Sequence, residues 1–429
     1  MEFSIIVTTD SSRGIGYKNT IPWNDARDKK YFRETTQGGT VIMGRNTYES
    51  LGKDLPYRKN FIISKTMKSN RCFPSLNEAL THCKNKKLGN VFVIGGEQLY
   101  GEAVRHPLCK CIYHTTISRY YKCDTFFPEL PSGYQCISNK NRIREFVYRN
   151  EEEKEYLNMF KNLLRASLHP NRTDTPSRTI VNASLSFSLE NNRLPLLTTK
   201  KVNFKTIVEE LLFFLKGERN TKLLEEKGIT IWKGNTSKEF LQSKNLPYKE
   251  GDIGPLYGVQ WRNWNGQGID EIATVIHSLK NDPFSRRHVV SAWNVSQLNE
   301  GVLAPCHTLF QFVVTPNKEG EPTYLSCVLY QRSGDYFLGV PFNIASYSLL
   351  THMVANITGL EAKGFHINIA DCHLYDNHSE AAFTQLGRGT RIFPTIEIEQ
   401  VDTIDDYTTE SFKLINYYPR PYIKGNMAV

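Results

Sequence analysis

The chain has 429 residues, more than a single hydrophobic core ordinarily serves, so its length predicts two or three domains. Its composition, 40% hydrophobic and 23% charged, is typical of a globular protein, and no apolar run approaches the ~20 residues that a membrane span needs. The formal net charge of +9 favours anionic partners, but Lys and Arg never form a run of five or more, so we expect no nucleic-acid partner and no membrane partner.

The first residues carry neither a basic segment nor a cleavage signal, so we expect no secretory signal peptide. The nine cysteines are an odd number, are scattered and form no Cys-x-x-Cys pair. Cys109 and Cys111, the two nearest, have neither zinc-site nor redox-motif spacing. This pattern predicts no metal site and favours a reducing compartment, and we expect the protein to be cytoplasmic.

The first 150 residues alternate short apolar segments with segments of helical character. Runs rich in Val and Ile between helices are typical of buried parallel strands, so this part predicts an α/β domain with a mostly parallel central sheet flanked by helices. The predicted strands cover residues 3–9, 40–43, 61–64 and 91–94, followed by partly antiparallel strands at 109–118 and 144–148.

An acidic residue near the start of a predicted helix follows the Gly14-Ile-Gly16 segment and the Pro22-Trp23 pair. A single carboxylate that faces an apolar pocket can bind the amidine-like edge of a pterin and support protonation of a C=N bond. Asp28 is the candidate, with Asp25 just upstream as the alternative. An Asp near a helix start can also serve as a cap or a surface charge.

Glycines that follow two of the predicted strands indicate a phosphate cradle. Gly44 follows the strand at 40–43, and Gly95 and Gly96 follow the strand at 91–94. Glycine after a buried strand lets backbone N–H groups approach a phosphate, although the pattern is not Gly-x-Gly-x-x-Gly. Arg45 and the Ser64-Lys65 pair could neutralise an additional ribose phosphate, which would favour NADPH over NADH.

Taken in order, these features resemble dihydrofolate reductase across residues 1–150. The matching motifs are Gly-Ile-Gly, Pro-Trp, the acid, Phe32, Met-Gly-Arg-x-Thr, Leu-Pro-Tyr-Arg58, Ile-Gly-Gly and Asp124-Thr-Phe-Phe-Pro128. The resemblance implies that Asp28 is the catalytic acid, because Asp28-x-x-Tyr-Phe32 keeps the acid-to-Phe spacing of the family. It also implies that Thr115 is the hydrogen-bonding neighbour of this acid.

The same resemblance implies the ligand contacts of this part. Phe32 and Leu55 would pack on the benzoyl part of the folate, and Arg58, whose planar fork suits a carboxylate, would bind the glutamate α-carboxylate. The residues implied to hold NADPH are Gly44, Arg45, Thr47, Ser64, Gly95 and Gly96.

A charged run at residues 149–155 interrupts the pattern. It predicts a short solvated junction at 151–157 between a first domain at 1–150 and a second at 158–429. A helix is predicted from about residue 155 to 166, and strands and helices are mixed beyond it, which predicts an α+β domain. Residues 203–216 are predicted to form a helix that is apolar almost all round and deeply buried.

The apolar helix contains two adjacent acids, Glu209 and Glu210. Such a helix rarely buries an unpaired carboxylate without a reason. At ~100° per residue the two side chains flank the apolar face about equally, so periodicity does not choose between them.

A nucleophile, a cation and an amide follow in one stretch of the sequence. They are Cys306 in Ala-Pro-Cys-His, Arg332 in Tyr-Gln-Arg-Ser and Asn343 in Gly-Val-Pro-Phe-Asn. A thiolate attacks, a guanidinium holds a phosphate, and an amide can bind a ring edge that presents both N–H and C=O. The combination predicts chemistry on a pyrimidine nucleotide, whereas the other cysteines are interpreted as small buried apolar residues.

Residues 282–375 resemble thymidylate synthase. The motifs that carry the resemblance are Ser285-Arg286-Arg287, Pro305-Cys306-His307, Gln331-Arg332-Ser333-Gly334-Asp335, Asn343-Ile-Ala-Ser-Tyr347 and Asp371-Cys-His373-Leu-Tyr375. The resemblance implies that Cys306 adds to C6 of dUMP, that Asn343 binds the uracil edge and that Tyr257 helps remove the C5 proton. It selects Glu210 for proton transfers through water and leaves Glu209 for a solvent edge.

The resemblance also implies the binding residues. Trp232 and Asp335 would contact the co-substrate 5,10-methylenetetrahydrofolate. The implied dUMP ligands are Arg172, Arg286, Arg287, Arg332, Ser333, Asn343, His373 and Tyr375. Arg286 and Arg287 could form a solvated surface, but in the family they reach the phosphate bound in the other subunit, which implies a homodimer through the synthase domain.

Asn343 favours dUMP over dCMP, because an Asp would suit the inverted pattern of a cytosine edge. As a whole the chain resembles enzymes that combine both activities, since one half makes the dihydrofolate that the other consumes. Two alternatives remain open at this point: that only one half is active and the other is a scaffold, or that the protein has an added RNA-binding regulatory role.

Overall fold

The computed structural model describes residues 1–140, 142–171, 173 and 175–426. The chain divides into two compact units, Met1–Glu151 with Thr390–Ile392, and Glu152–Gly389 with Phe393–Val429. The junction expected at residues 151–157 lies in the first turns of a helix that spans Glu151–Arg165 and so begins before the predicted residue 155.

The first unit is built on an eight-stranded sheet. The strands of the unit, including two outside this sheet, are β1 (Phe3–Thr9), β2 (Gly14–Gly16), β3 (Thr40–Gly44), β4 (Lys59–Ile63), β5 (Cys72–Phe73), β6 (Val91–Val93), β7 (Cys109–Thr116), β8 (Thr125–Phe126), β9 (Tyr134–Lys140) and β10 (Ile143–Tyr148). Its helices are α1 (Ala26–Thr36), α2 (Arg45–Leu51), α3 (Leu76–Asn85) and α4 (Glu97–Ala103).

The strand order of this sheet is β5-β4-β3-β6-β1-β7-β10-β9, and β2 pairs with β8 in a separate ribbon. The pairs from β5 to β7 are parallel, and β10 is antiparallel to both β7 and β9. Ile5, Val41 and Val93, in three of the parallel strands, are fully buried. The predicted α/β arrangement is confirmed, with strand ends that shift by one or two residues.

The second unit mixes helices with a six-stranded sheet. The strands of this sheet are β11 (Leu168–His169), β12 (Ser177–Ser188), β13 (Val289–Ser291), β14 (His307–Pro316), β15 (Pro322–Asp335) and β16 (Glu361–Tyr375). A separate pair consists of β17 (Thr395–Ile398) and β18 (Phe412–Ile415). The helices of the unit are α5 (Glu151–Arg165), α6 (Phe204–Leu215), α7 (Lys222–Glu225), α8 (Lys238–Ser243), α9 (Gly258–Arg262), α10 (Glu271–Asn281), α11 (Gly339–Thr358) and α12 (Ser379–Leu386). The 3₁₀ turns are Glu190–Asn192, Val295–Gln297, Asp376–His378, Ile404–Asp406 and Thr409–Ser411.

The main sheet of this unit has the order β11-β12-β16-β15-β14-β13. Its only parallel pair among the described strands is β15 with β16; the other pairs are antiparallel. The long helix α11 packs on both strands of that pair and against α6, whose buried residues confirm the predicted apolar helix. The second unit is therefore α+β, as the sequence predicts.

The register of the parallel pair determines where side chains meet. Ser333 pairs with Asp371, and Asp335 pairs with His373. Upstream, Leu325 pairs with Ala362 but Ser326 pairs with Gly364, so Lys363 is an extra residue that forms a β-bulge. Side chains alternate between the faces of a sheet, so after this one-residue offset the side chains of β16 continue in step with those of β15.

Candidate active sites

The two acids near the start of α1 have different surroundings. Asp25 is the N-cap: its carboxylate accepts the backbone N–H groups of Arg27 and Asp28 and pairs with Arg142 at 3.1 Å. Asp28 lies in the wall of a cleft of about 1300 Å³ and accepts a 2.5 Å hydrogen bond from the Thr8 hydroxyl. Burial raises the pKa of Asp28, and the hydrogen bond from Thr8 only partly offsets this effect.

Most residues predicted for the first site line this one cleft. They are Asp28, Phe32, Gly44, Arg45, Thr47, Leu55, Ser64, Gly95 and Gly96. Thr115 is buried on β7, and its side chain, like that of Thr8, acts to lower the pKa of Asp28. Arg58 donates to the Thr36 hydroxyl at 2.9 Å, and its guanidinium carbon lies 5.8 Å from the centre of the Phe32 ring.

The predicted glycine cradle is formed by close backbone approach. The N–H of Gly44 donates to the Gly95 carbonyl at 2.7 Å, which joins the ends of β3 and β6. A Cβ on Gly95 would lie 3.3 Å from the Thr47 hydroxyl oxygen, and one on Gly96 would lie 3.2 Å from it. Because side chains would fill this space, the residues fit a dinucleotide phosphate held by backbone N–H groups at the start of α4.

Arg45 and Ser64 meet at a turn beside this cradle. Arg45 donates to the Thr66 hydroxyl at 3.1 Å, and Ser64 accepts the N–H groups of Thr66 and Met67. Arg45 is also paired with Glu49 at 2.6 Å. The arrangement places a cation and a hydroxyl at one edge of the cleft.

In the second unit, Arg332 holds the segment that carries the cysteine. Its Nε donates to the Pro305 carbonyl at 2.9 Å and its Nη2 to the Ala304 carbonyl at 2.7 Å. The same Nη2 lies 3.7 Å from the Sγ of Cys306. A guanidinium at this distance favours the thiolate over the thiol.

Tyr257 is a second hydrogen-bonding partner of the same cysteine. The backbone N–H of Cys306 donates to the Tyr257 hydroxyl at 2.9 Å. Tyr257 has a positive φ of 40° at the start of α9, and a Cβ on the following Gly258 would overlap the Phe214 carbonyl of α6. Burial raises the pKa of Tyr257 well above its usual value, so the phenol stays protonated.

The adjacent acids of α6, Glu209 and Glu210, have different hydrogen-bonding partners. Glu210 accepts the Trp232 indole N–H at 2.8 Å, and burial raises the pKa of Glu210 to about 7. Glu209, which was expected at a solvent edge, is only 4% exposed and pairs with Lys227 at 2.5 Å. That expectation is wrong, because a lysine and the Thr409 hydroxyl from distant parts of the chain bind this carboxylate.

Asn343 is held in place by a residue with no assigned role in the sequence analysis. The Gln331 side chain is 2% exposed and donates to the Asn343 carbonyl oxygen at 3.1 Å. Burial lowers the pKa of the neighbouring His307 to about 4, an effect that Asn343 partly offsets, so its imidazole is neutral. A fixed amide orientation is what discrimination between uracil and cytosine requires.

The remaining predicted ligands cluster at the carboxyl ends of β15 and β16. Ser333 donates to Asp371 at 3.2 Å, and His373 lies 3.6 Å from the same carboxylate. The rings of His373 and Tyr375 are in edge contact at 5.0 Å. Asp335 accepts the backbone N–H groups that open the turn before α11.

Some predictions lie apart from this cluster. Arg286 and Arg287 are exposed on the segment before β13. Arg172 lies outside the described residues. Trp232, predicted to contact folate, is the hydrogen-bonding partner of Glu210.

Thr8, Gln331 and Trp293 have no role predicted from the sequence. The Trp293 ring lies 5.9 Å from the Arg332 guanidinium carbon. A threonine near the carboxyl end of a buried parallel strand is a usable signal for Thr8, because ligands bind at that end of such sheets. Gln331 directly precedes Arg332 in a motif already recognised, whereas we find no sequence signal for Trp293.

Two further properties concern the described residues. None of their helices combines the length and apolar character that would let it cross a bilayer. Within the same residues, no three His, Cys, Asp or Glu side chains are grouped as a metal site would require.

Known families divide the chain into the same two parts. The thymidylate synthase family matches residues 154–429, and the dihydrofolate reductase family matches residues 2–162. The class defined by fold and site is thus a folate-dependent synthase fused to a reductase. A bifunctional dihydrofolate reductase-thymidylate synthase of Paramecium tetraurelia is 37% identical over 100% of this chain and 99% of its own length. A protein of the same description from Zea mays is 35% identical over 100% of this chain and 97% of its own length. A thymidylate synthase of Ascaris suum is 46% identical over 65% of this chain and 98% of its own length. The chain belongs to the bifunctional dihydrofolate reductase–thymidylate synthase family.

Proposed function

We propose that the second unit converts dUMP to dTMP with 5,10-methylenetetrahydrofolate and that the first unit reduces the dihydrofolate formed to tetrahydrofolate with NADPH. The observation that carries this proposal is the assembly of both sets of family residues in one chain. Asp28 lies in a cleft beside a glycine cradle, and Cys306 lies beside Arg332, Tyr257 and Asn343. The comparisons do not support a scaffold half or an RNA-binding role.

In the synthase unit the Sγ of Cys306 adds to C6 of dUMP, and Asn343 binds the N3 and O4 edge of the uracil. The resulting nucleophilic C5 bonds to the methylene carbon of the co-substrate, and the bonds from that carbon to the two folate nitrogens break, the second as C5 loses its proton. Glu210, with a pKa of about 7, can accept and return protons through water near neutral pH, and Tyr257 assists removal of the C5 proton. Hydride transfer from the folate then yields dTMP and dihydrofolate and releases Cys306.

Binding of the nucleotide is assigned to the cluster at the ends of β15 and β16. Arg332 and Ser333, with Arg172, would hold the phosphate, and His373 with Tyr375 the deoxyribose hydroxyl. Trp232 and Asp335 would contact the folate co-substrate. The geometry supports this proposal, because Ser333 and His373 both contact Asp371.

In the reductase unit Asp28 binds the pterin edge and supports protonation of the C=N bond. Thr8 and Thr115 orient its carboxyl, while Phe32, Leu55 and Arg58 receive the benzoyl-glutamate tail. NADPH supplies the hydride when bound, and the residues that would hold it are Gly44, Arg45, Thr47, Ser64, Gly95 and Gly96.

A homodimer through the second unit is part of the proposal. The outer face of the main sheet exposes Val289, Leu309, Val313 and Tyr330, each 38–46% exposed. Leu309 and Tyr330 are cross-strand partners, so these side chains form one apolar surface. A second copy would cover this face and bring Arg286 and Arg287 to its partner's phosphate site.

The domain division at 1–150, 151–157 and 158–429 and a cytoplasmic location also remain proposals. Cys83, Cys109, Cys111, Cys327 and Cys372 are buried as free thiols, which supports a reducing compartment.

The activity test uses the whole chain with dUMP and 5,10-methylenetetrahydrofolate, followed by NADPH. Wild type should form dTMP at once and should lose dihydrofolate only after NADPH is added. Cys306→Ser should abolish dTMP formation alone, and Asp28→Asn should abolish dihydrofolate reduction alone. Loss of both activities in either variant would contradict two independent sites.

Mixing two inactive variants tests the shared site. A Cys306→Ser protein mixed with an Arg286→Ala/Arg287→Ala protein should recover synthase activity, because one hybrid site contains an intact cysteine and an intact arginine pair. No recovery under conditions where hybrids form would contradict the role of the arginine pair.

A further inference from the structure

Asp10, directly after β1, is a buried carboxylate that the proposed mechanism does not use. It is 1% exposed. Its Oδ1 accepts the backbone N–H of Gly14 at 2.7 Å and that of Ser12 at 2.8 Å, and its Oδ2 accepts the backbone N–H of Tyr121 at 2.9 Å. The Ser12 hydroxyl also donates to it at 2.9 Å. Burial raises the pKa of Asp10, but these donors more than offset that effect and lower it, so the group is an anion.

The two anchored backbones belong to the ribbon that supports one wall of the reductase cleft. Gly14 begins β2, which pairs with β8, and Tyr121 lies in the segment that leads into β8. The packing between them is tight, because a Cβ on Gly14 would overlap the Cys123 sulfur. The carboxylate of Asp10 therefore fixes the spacing between these two segments.

The loop between Gly14 and Trp23 is held at both ends by this arrangement. Asp10 binds Gly14 at one end, and at the other end the Trp23 ring packs on the Tyr121 ring, with centroids 5.4 Å apart. In the middle, the Lys18 N–H donates to Asp124 at 2.8 Å. The cleft wall includes the loop residues Ile15, Gly16, Asn19, Thr20, Ile21 and Trp23.

We propose that Asp10 is a positioning residue of the reductase site, which holds the loop of residues 14–23 in the conformation that closes the cleft over bound folate and cofactor. The proposal rests on the reductase activity proposed above. The contacts of Asp10 explain why a carboxylate is needed at this position. Its two oxygens accept from Gly14 and from Tyr121 at once, and a neutral Asn side chain could accept at only one of these two places. Loops that exclude water from a site need such fixed ends to close reproducibly.

The test compares Asp10→Asn with two matched controls in the full-length chain. Asp10→Asn should raise the KM values for dihydrofolate and NADPH and lower reductase kcat/KM about 10-fold, while synthase kcat stays unchanged. Ser12→Ala removes a donor that anchors neither Gly14 nor Tyr121, so it should behave as wild type. Leu80→Ala leaves a cavity in α3 of the same unit and should lower the melting temperature with both KM values unchanged.

Amide hydrogen exchange provides a readout that does not depend on activity. Asp10→Asn should increase exchange in residues 11–23 and 118–124 together, and Leu80→Ala should not. Gly14→Ala, which displaces Gly14 while the carboxylate stays intact, should reproduce the Asp10→Asn pattern in case that variant folds poorly. Unchanged KM values with a general rise in exchange in Asp10→Asn would overturn the proposal. A wild-type protein that cannot reduce dihydrofolate, but whose loop loosens in Asp10→Asn, would contradict the proposed reductase activity and leave the loop anchor standing.

Discussion

The indole N–H of Trp232 donates to the Glu210 carboxylate at 2.8 Å inside an otherwise apolar helix environment. Burial raises the pKa of Glu210 to about 7, and the indole hydrogen bond opposes this rise, because it stabilises the charged form. The pair therefore sets the pH at which this carboxyl exchanges protons.

Trp232→Phe removes the indole donor. The pKa of Glu210 should then rise further, since burial is no longer opposed. We expect the acidic limb of the synthase pH–rate profile to move to higher pH, with reductase rates unchanged. An unmoved limb would show that Glu210 is not the group that titrates in that profile.

Glu210→Gln should alter the pH dependence of stability. The folded-state pKa of about 7 exceeds the ordinary 4.5, so the folded chain binds more protons than the unfolded chain between these values. Glu210 therefore stabilises the fold fully below about 4.5, and this stabilisation is lost as pH rises through about 7. Urea unfolding should show Glu210→Gln more stable than wild type at pH 8 and the advantage gone at pH 4.5.

Glu209→Gln should have the opposite sign. The pKa of Glu209 is lowered, because its hydrogen bonds to Lys227 and Thr409 outweigh the effect of burial. Its stabilisation is therefore present above the ordinary pKa and lost as pH falls through the folded-state value. At pH 7 we expect a loss of about 1–3 kcal/mol in the free energy of unfolding and little change in synthase kcat. A stabilised variant would mean that the ion pair with Lys227 does not form in solution.

Thr8→Val removes the hydroxyl that donates to Asp28 at 2.5 Å. The pKa of Asp28, already raised by burial, should rise further, because this hydrogen bond favours the carboxylate. The pH profile of reductase kcat/KM should shift upward, and Thr8→Ser should restore it. If Thr8→Ser behaves like Thr8→Val, a hydroxyl at this position is not sufficient to set the pKa of Asp28.

Gly95→Ala should weaken NADPH binding. Gly95 has a φ of 130°, which L side chains rarely adopt, and a Cβ would come within 3.3 Å of the Thr47 hydroxyl. We expect the dissociation constant of NADPH to rise at least about 10-fold, which corresponds to about 1.4 kcal/mol. The constant is measured by NADPH titration of protein that also carries Asp28→Asn. Gly52→Ala, where a Cβ would meet open space, controls for left-handed backbone strain alone.

The sequence predicts the parallel strands well, because Ile5, Val41 and Val93 lie in runs that have no polar face. It leaves Asp25 and Asp28 as alternatives, and the cap geometry separates them: Asp25 accepts the helix N–H groups while Asp28 lines the cleft. Periodicity is a local property and carries no information about residues that arrive from elsewhere in the chain. The prediction for Glu209 failed for that reason, since Lys227 is 18 and Thr409 is 200 residues away.

The anchor at Asp10 was missed for the same physical reason. Its partners Gly14 and Tyr121 are 4 and 111 residues distant, and nothing in the spacing indicates that one carboxylate binds both. Gln331 was part of a recognised motif, yet its hydrogen bond to Asn343 depends on how β15 meets α11. Motifs identify the residues, but only the fold shows which neighbours orient them.

The bulged Lys363 makes the two halves of β16 unequal in their tolerance of length change. If this residue were deleted, Ala362 and Gly364 could pair with Leu325 and Ser326 in regular alternation, and His373 would stay opposite Asp335. If Ala370 were deleted instead, Asp371 and His373 would turn toward the opposite side of the sheet. Lengthening or shortening of β16 is therefore compatible with a working nucleotide site only at or before Lys363. Length variation among relatives should be confined to that first part of the strand.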